Sequence, residues 1–156
     1  MQALRTKLFG LQTTRNLLLR TQGKALNLRH FSQTSFLQTL TDFQYHRLAN
    51  DAMDTLNDTL EEFVEAENEP EYDLQYANGV LTLGLGKYGT YVINKQPPNH
   101  QIWLSSPISG PKHYDWNERK EAWLSTRNDS EIFDLLSKEL GKMSNKTIVF
   151  KKSDDY

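Results

Sequence analysis

Between Pro70 and Pro111 the chain is broken at short, even intervals by turn formers: Asn78-Gly79, Gly86-Lys87-Tyr88-Gly89, Pro97-Pro98-Asn99 and Ser109-Gly110-Pro111. The segments between them are too short for helices and carry strand patterns. Tyr72, Leu74 and Tyr76 alternate with Asp73 and Gln75, as in a half-buried strand. Asn78-Gly79 fits a two-residue hairpin turn and returns the chain through Val80–Leu85. Further strands are expected over Thr90–Gln96, Gln101–Pro107, His113–Trp116 and Ala122–Thr126. Five or six strands joined this tightly make an antiparallel meander.

A helix is expected on each side of the meander. Thr41-Asp42-Phe43-Gln44 has the spacing of a capping box, with Leu40 and Tyr45 placed for a hydrophobic staple. The helix it opens runs to about Ala66. Its apolar stripe is Tyr45, Leu48, Ala49, Ala52, Met53, Leu56, Leu60, Phe63 and Val64, at steps of three and four. Glu67-Asn68-Glu69-Pro70 ends it. Asn128-Asp129-Ser130 is placed to cap a second helix, with Ile132, Phe133, Leu135, Leu136, Leu140 and Met143 as its apolar set. The order helix, meander, helix predicts an α+β two-layer sandwich, with both helices on one face of an antiparallel sheet of five to six strands. The sheet's other face is expected to be solvated. Ile148-Val149-Phe150 should pack back on the domain, and the final Lys-Lys-Ser-Asp-Asp-Tyr should fray.

Charge divides the chain of 156 residues unevenly. Arg5, Lys7, Arg15, Arg20, Lys24 and Arg29 lie in the first forty residues, which contain no acid; twelve basic residues then face all twenty acidic ones. An acid-free start rich in Arg, Leu, Ser and Thr fits a mitochondrial transit peptide over residues 1–38, and the matrix as destination. A basic arm for nucleic acid or membrane is the alternative. Arg29-His30-Phe31-Ser32 resembles a matrix-peptidase site, and Phe31-Ser32-Gln33-Thr34 the start of a second excised octapeptide. The mature start then falls near Ser32 or Thr39. There is no cysteine, which excludes disulfides, thiolate catalysis and thiolate-held clusters. No apolar run approaches the ~20 residues of a membrane span.

On a wheel of about 100° per residue, Asp51, Asp54, Asp58, Glu61, Glu62 and Glu65 gather opposite the apolar stripe of the first helix, with Arg47 the one cation among them. Glu67, Glu69, Glu71 and Asp73 continue the acidity. No lysine stands four residues on to pair with these acids, and they reach the helix end that the dipole makes unfavourable for them. A solvated helix surface is the plain alternative, but a face that accepts this repulsion fits a cationic ligand or partner better. Exposed carboxylates without a cage hold hard cations loosely. His46 lies away from the centre of the arc, either as an additional metal ligand or as a boundary histidine without one. There is no nucleophile motif, no Walker loop and no dinucleotide fingerprint, and no catalytic residue is assigned. The acidic remainder argues against nucleic acid as a partner.

The strands over 89–116 carry Asn94, Lys95, Gln96, Gln101, Trp103, Ser105 and Ser106, more polar and aromatic side chains than a core-filling strand needs. Alternation puts Trp103 opposite the Ile102/Leu104 face, so these strands are expected to form a recognition surface. The same stretch, NKQPPNHQIWLSSPISGPKHYDW, resembles the signature of the frataxin family, the small mitochondrial iron-sulfur assembly proteins; the resemblance covers roughly Asp42 to Leu140. It implies the sandwich fold for a domain over residues 39–156. It also implies a weakly bound iron (Fe2+/Fe3+) at the acidic ridge, with Asp42, His46, Asp51, Asp54, Asp58, Glu61, Glu62, Glu65 and Asp73 as candidate ligands. The implied role is activation of iron-sulfur cluster assembly by binding the complex of cysteine desulfurase and scaffold protein and promoting persulfide transfer. Asn94, Lys95, Gln96, Gln101, Trp103 and His113 are the implied partner-binding residues. The family often has arginine where this chain has His113, and lysine where it has His100; His113 would then act more weakly and in a pH-dependent way. The alternative is a ferroxidase and iron store working as an iron-dependent oligomer rather than a monomer. An acidic adaptor for a basic partner, with no metal role, is a third reading. Neither nucleic acid nor membrane is expected as a partner.

Overall fold

The structure is a computed structural model that describes residues 40–151. The transit-peptide reading of residues 1–38, with its starts at Ser32 or Thr39, lies outside them, as does the terminal run beyond Lys151. Helix α1 spans Asp42–Glu67. Its capping box forms: the Gln44 backbone N–H donates to Thr41 Oγ1 at 3.2 Å, and the Thr41 N–H donates to Gln44 Oε1 at 3.0 Å. Asn68, in a left-handed conformation, closes the helix by donating to the Val64 carbonyl. The expected stripe is its buried face, and Thr55 joins it by turning its hydroxyl onto the Asp51 carbonyl at 2.9 Å.

Strands β1 (Tyr72–Ala77), β2 (Val80–Leu85), β3 (Thr90–Gln96), β4 (Gln101–Ser106), β5 (Gly110–Asn117) and β6 (Ala122–Ser125) pair in sequence order. Every pairing is antiparallel. Ala77 faces Val80 across the two-residue turn, where Asn78 and Gly79 both have positive φ, 53° and 76°, as a right-twisted hairpin requires. β4 is one residue shorter than expected because Pro107 has no N–H for the ladder. β5 is longer than expected at both ends, since pairing with β4 carries it back to Gly110 and pairing with β6 carries it on to Asn117.

Helix α2 spans Ile132–Ser144. Its start differs from the expectation. Its N-cap position is Glu131, whose side chain does not cap it, rather than the Asn128–Ser130 run. Asn128 Oδ1 instead accepts from the Ser130 hydroxyl at 2.9 Å. An isolated bridge between Leu124 and Glu131 keeps the chain extended one residue longer.

Both helices cover one face of the sheet. The core runs from Met53, Leu56 and Leu60 of α1 through Leu83, Ile93, Ile102 and Tyr114 of the sheet to Leu136 and Leu140 of α2, all wholly inaccessible to solvent. Each such aliphatic side chain stabilises the fold by about 1.5–3 kcal/mol before the entropy of ordering it is subtracted. Phe150 stacks on Phe133 with ring centroids 5.4 Å apart, so the late apolar run does return to the domain, although Val149 points outward.

Candidate functional site

The sheet face opposite α1 and α2 is ordered by register. Val80 pairs with Asn94, Asn94 with Trp103 and Trp103 with His113, which makes one row across four strands. The next row is Gln96, Gln101 and Asp115. Trp103 and His113 stack with centroids 4.2 Å apart and planes 17° from parallel. Trp103 Nε1 donates to Gln101 Oε1 at 2.8 Å, and Gln101 Nε2 donates to Asp115 Oδ1 at 2.8 Å. Asn94 Nδ2 lies 3.4 Å from Gln96 Oε1. The two rows thus hold an indole ring half-buried and fixed in angle, flanked by amides with hydrogen-bonding capacity to spare.

Of the six expected partner-binding residues, five share this face: Asn94, Gln96, Gln101, Trp103 and His113. Lys95 does not. It pairs with Ile102 on the helix side, and its Nζ donates to Asn50 Oδ1 of α1. Ser106 also leaves the surface. It is buried on the helix side and donates to Glu139 Oε2 at 2.6 Å. Asp115, which holds Gln101 in place, was not foreseen; alternation with His113 in β5 is the signal that points to it.

The acids of α1 stand where the wheel puts them. Asp51, Asp54, Asp58, Glu61, Glu62 and Glu65 are all exposed, and Asp73 is exposed on β1. They divide between two flanks. Glu61, Glu65 and Asp73 line a shallow groove of about 300 Å³ between α1 and β1. Asp51 lies on the opposite flank, with Arg47 and Thr55. The negative field is felt by nearby phenols. Burial first, then Tyr88, and after it the charges of Glu67, Glu69 and Glu71, holds Tyr72 above the ordinary tyrosine range. Tyr76 is raised by burial and then by Asp54.

Asp42 and His46 sit apart from this ridge, at the start of α1. Asp42 Oδ1 is 2.7 Å from Nε2 of His100, and His100 stacks on Tyr45 at 5.1 Å. Burial pushes the Tyr45 hydroxyl up to about 12, and it donates to the Gln101 carbonyl at 2.8 Å. His46 is exposed, with its ring 5.3 Å from that of Tyr45. Among the described residues no three His, Asp or Glu side chains converge to hold a metal ion. The candidate ligands therefore form a charged surface rather than a coordination cage.

The described residues thus form a small α+β sandwich with an acidic helix on one side and an aromatic and amide surface on the sheet face opposite the helices. Residues 38–146 match the model of the frataxin-like domain. The chain is 53% identical over 131 residues to the mitochondrial frataxin homolog of Schizosaccharomyces pombe, covering 84% of this chain and 83% of that one. It is 37% identical over 134 residues to mitochondrial frataxin of Arabidopsis thaliana, covering 83% and 72%. Among solved structures, it is similar to trimeric frataxin of Saccharomyces cerevisiae complexed with ferrous iron, with a TM-score of 0.56 and 46% identity over 64% of this chain and 87% of that one. A further yeast frataxin structure gives a TM-score of 0.58 at 36% identity, over 88% and 100%. The chain belongs to the frataxin family, and its relatives place it in the mitochondrion.

Proposed function

We propose that this protein works in the mitochondrial matrix as an iron-binding activator of iron-sulfur cluster assembly. It binds the complex of cysteine desulfurase and scaffold protein and promotes persulfide transfer. The observation that carries this reading is the fixed Trp103–His113 stack, with Asn94 and Gln101 beside it, on the sheet face that neither α1 nor α2 covers. An aromatic anchor ringed by amides is how protein interfaces concentrate their binding energy. The chain has no thiol, so it cannot carry sulfur itself. Its action is to favour one conformation of the complex, a shift of population. The exposed acids of α1 attract iron(II) as cargo and hold it weakly, through water, and they also suit a basic partner surface. Desulfurase turnover on the scaffold, with and without the mature protein, tests this reading. Stimulation supports it, and unchanged turnover at saturating protein rejects it.

The second reading is a ferroxidase and iron store. The trimeric, ferrous-complexed yeast relative favours it. The lack of any three converging ligands among the described residues weighs against it, because oxidation at paired irons needs closely held sites. Oxygen uptake with iron(II), compared between the wild type and acid-to-amide variants of α1, separates the two.

A further inference from the structure

Asn78-Gly79 is the one Asn-Gly pair in the chain. It makes the two-residue turn between β1 and β2, with φ of 53° and 76°. Three observations make this turn chemically reactive. Asn78 is exposed, and among the described residues its side-chain amide has no hydrogen-bond partner. The Gly79 N–H likewise donates to no group of the described residues, although the Gly79 carbonyl accepts from the Lys95 N–H at 3.1 Å. The Lys95 side chain lies against the turn: a Cβ on Gly79 would stand 3.0 Å from its Cε and 3.8 Å from its Nζ. The turn is also lightly held. Among the described strands β1 pairs with β2 alone, and Tyr76, Ala77, Asn78 and Val80 are all exposed, so little apolar burial opposes local opening.

We propose that Asn78 is a site of spontaneous succinimide formation, which converts it to aspartate and isoaspartate, and that Lys95 assists the step. When the turn opens locally, solvent base removes the Gly79 amide proton. The nitrogen attacks Asn78 Cγ; a C–N bond forms, the Cγ–Nδ2 bond breaks, and ammonia leaves with a proton from water. Water then opens the five-membered ring at either carbonyl. Cleavage at Cγ leaves aspartate. Cleavage at the backbone carbonyl leaves isoaspartate, whose main chain runs through the former side chain. The net change is an amino group for a hydroxyl group, and nothing is oxidised or reduced. Glycine permits the approach, because it has no Cβ to crowd its nitrogen and leaves the backbone free to turn. The Lys95 ammonium favours the anionic nitrogen and the oxyanion that follows it. Aspartate tolerates a left-handed turn as asparagine does. Isoaspartate does not fit, because one more main-chain atom enters a turn of two residues. It displaces the Gly79 carbonyl from the Lys95 N–H, which lies between Asn94 and Gln96 of the aromatic and amide face. The site is independent of the activator reading.

The test is incubation of the folded protein in neutral and in mildly alkaline buffer, beside a free peptide of residues 75–81. Peptide mapping by mass spectrometry locates the change, and a methyltransferase specific for isoaspartyl carboxylates labels one product. The expected result is conversion at Asn78, faster in the alkaline buffer, with isoaspartate label. It should run ahead of Asn94, Asn99 and Asn117, none of which precedes glycine. Lys95→Met should slow it about threefold, the worth of one exposed charge interaction. In the isoaspartyl form the Lys95 amide should exchange its hydrogen faster than in the unconverted protein, and in Asn78→Asp it should not. An Asn78 that stays intact in the folded protein after the peptide has converted overturns the proposal, because the hairpin then shields it. Conversion to aspartate without isoaspartate label overturns the succinimide route. A wild-type rate in Lys95→Met overturns the assistance, and unchanged Lys95 exchange in the isoaspartyl form overturns the displacement.

Discussion

Trp103 offers a partner its ring and not its donor, because Gln101 already holds the indole N–H and Asp115 holds Gln101. That arrangement separates binding from stability. A core tryptophan truncated to alanine costs about 3–5 kcal/mol of stability, whereas an interface hot spot costs about 2 kcal/mol or more of binding. Trp103 is half-buried on the bare face, so Trp103→Ala should stay folded, still bind iron, and lose most of its stimulation of the desulfurase–scaffold complex. Asn94→Ala and Asp115→Ala should show the same pattern more mildly, the latter by releasing Gln101. Turnover assays beside urea unfolding curves check this. A Trp103→Ala protein that melts near room temperature would make the residue core, and full stimulation by a folded variant would move the surface elsewhere. Alternation alone made the Trp103 side of the sheet legible, since period two assigns each residue a face once a strand is recognised. It also shows why the Asn-Lys-Gln run misleads when read as one patch, since the middle residue of three points to the other side, here to Asn50. The role of Asp115 depends on which residue of β4 it faces, and that register is a tertiary fact.

At the scale of elements, α1 announces both of its ends and both of its faces in sequence. Its cap is a local motif, its stripe is periodic, and its acids are consecutive on the wheel. The start of α2 was not legible, because a bridge to Leu124 sets it, and nothing near Ser130 encodes that contact. The acids of α1 repel one another at i,i+3 and i,i+4 for a few tenths of a kcal/mol per pair. Changing Asp54, Asp58, Glu61 and Glu65 together to amides should therefore raise stability by about 1 kcal/mol while weakening iron(II) and cobalt(II) binding. Calorimetric titration and thermal melts read the two effects separately. Unchanged metal binding would exclude the ridge as the site, and a lower melting point would defeat the repulsion argument. In α2 a different acid has a structural duty. Glu139 is 6% exposed and accepts from the hydroxyls of Tyr91, at 3.0 Å, and Ser106, at 2.6 Å. Ser106 Oγ in turn accepts from the backbone of Ile108 and Ser109. One carboxylate thus ties α2 to two strands and the β4–β5 turn. Glu139→Ala should cost about 3 kcal/mol, from two orphaned hydroxyls and a cavity. Glu139→Gln, which keeps an acceptor, should cost about 1 kcal/mol. Urea midpoints rank the two, and equal losses would mean that volume matters here and the hydrogen bonds do not. Both helices had promised apolar stripes, but neither promised this buried acid, because a glutamate within a helix reads as solvated until its neighbours are known.

For the whole molecule, the division of charge leads to a prediction about processing. If residues 1–38 are a targeting segment, N-terminal sequencing of protein from mitochondria should begin at Ser32 or Thr39; a mature form retaining Arg5–Arg29 would reject the reading. The fold adds a prediction about pH that no local pattern contains. The sequence shows tyrosines alternating into strands and a helix, but only the packed sandwich reveals that Tyr45, Tyr91 and Tyr114 are all wholly buried. Burial raises all three hydroxyls, Tyr45 to about 12 and the other two further, with the charge of Glu139 adding to both. In the unfolded chain they ionise near the ordinary value of about 10. Below that pH both states keep their protons, and the stabilisation is fully present. Above it the unfolded state loses protons that the native state retains, so stability falls as pH rises toward the native values. Each tyrosine contributes a slope of about 1.4 kcal/mol per pH unit, and three together about 4. Against a domain stability of roughly 5–15 kcal/mol, that slope leaves stability level up to pH about 9.5 and then removes much of it by pH about 12. Urea unfolding followed by circular dichroism across this range measures the slope. Tyr45→Phe, which removes one of the three protons, should reduce it by about a third. A stability that stayed level through pH about 11.5 would mean that these hydroxyls reach solvent, and that the sandwich is looser around them than its packing indicates.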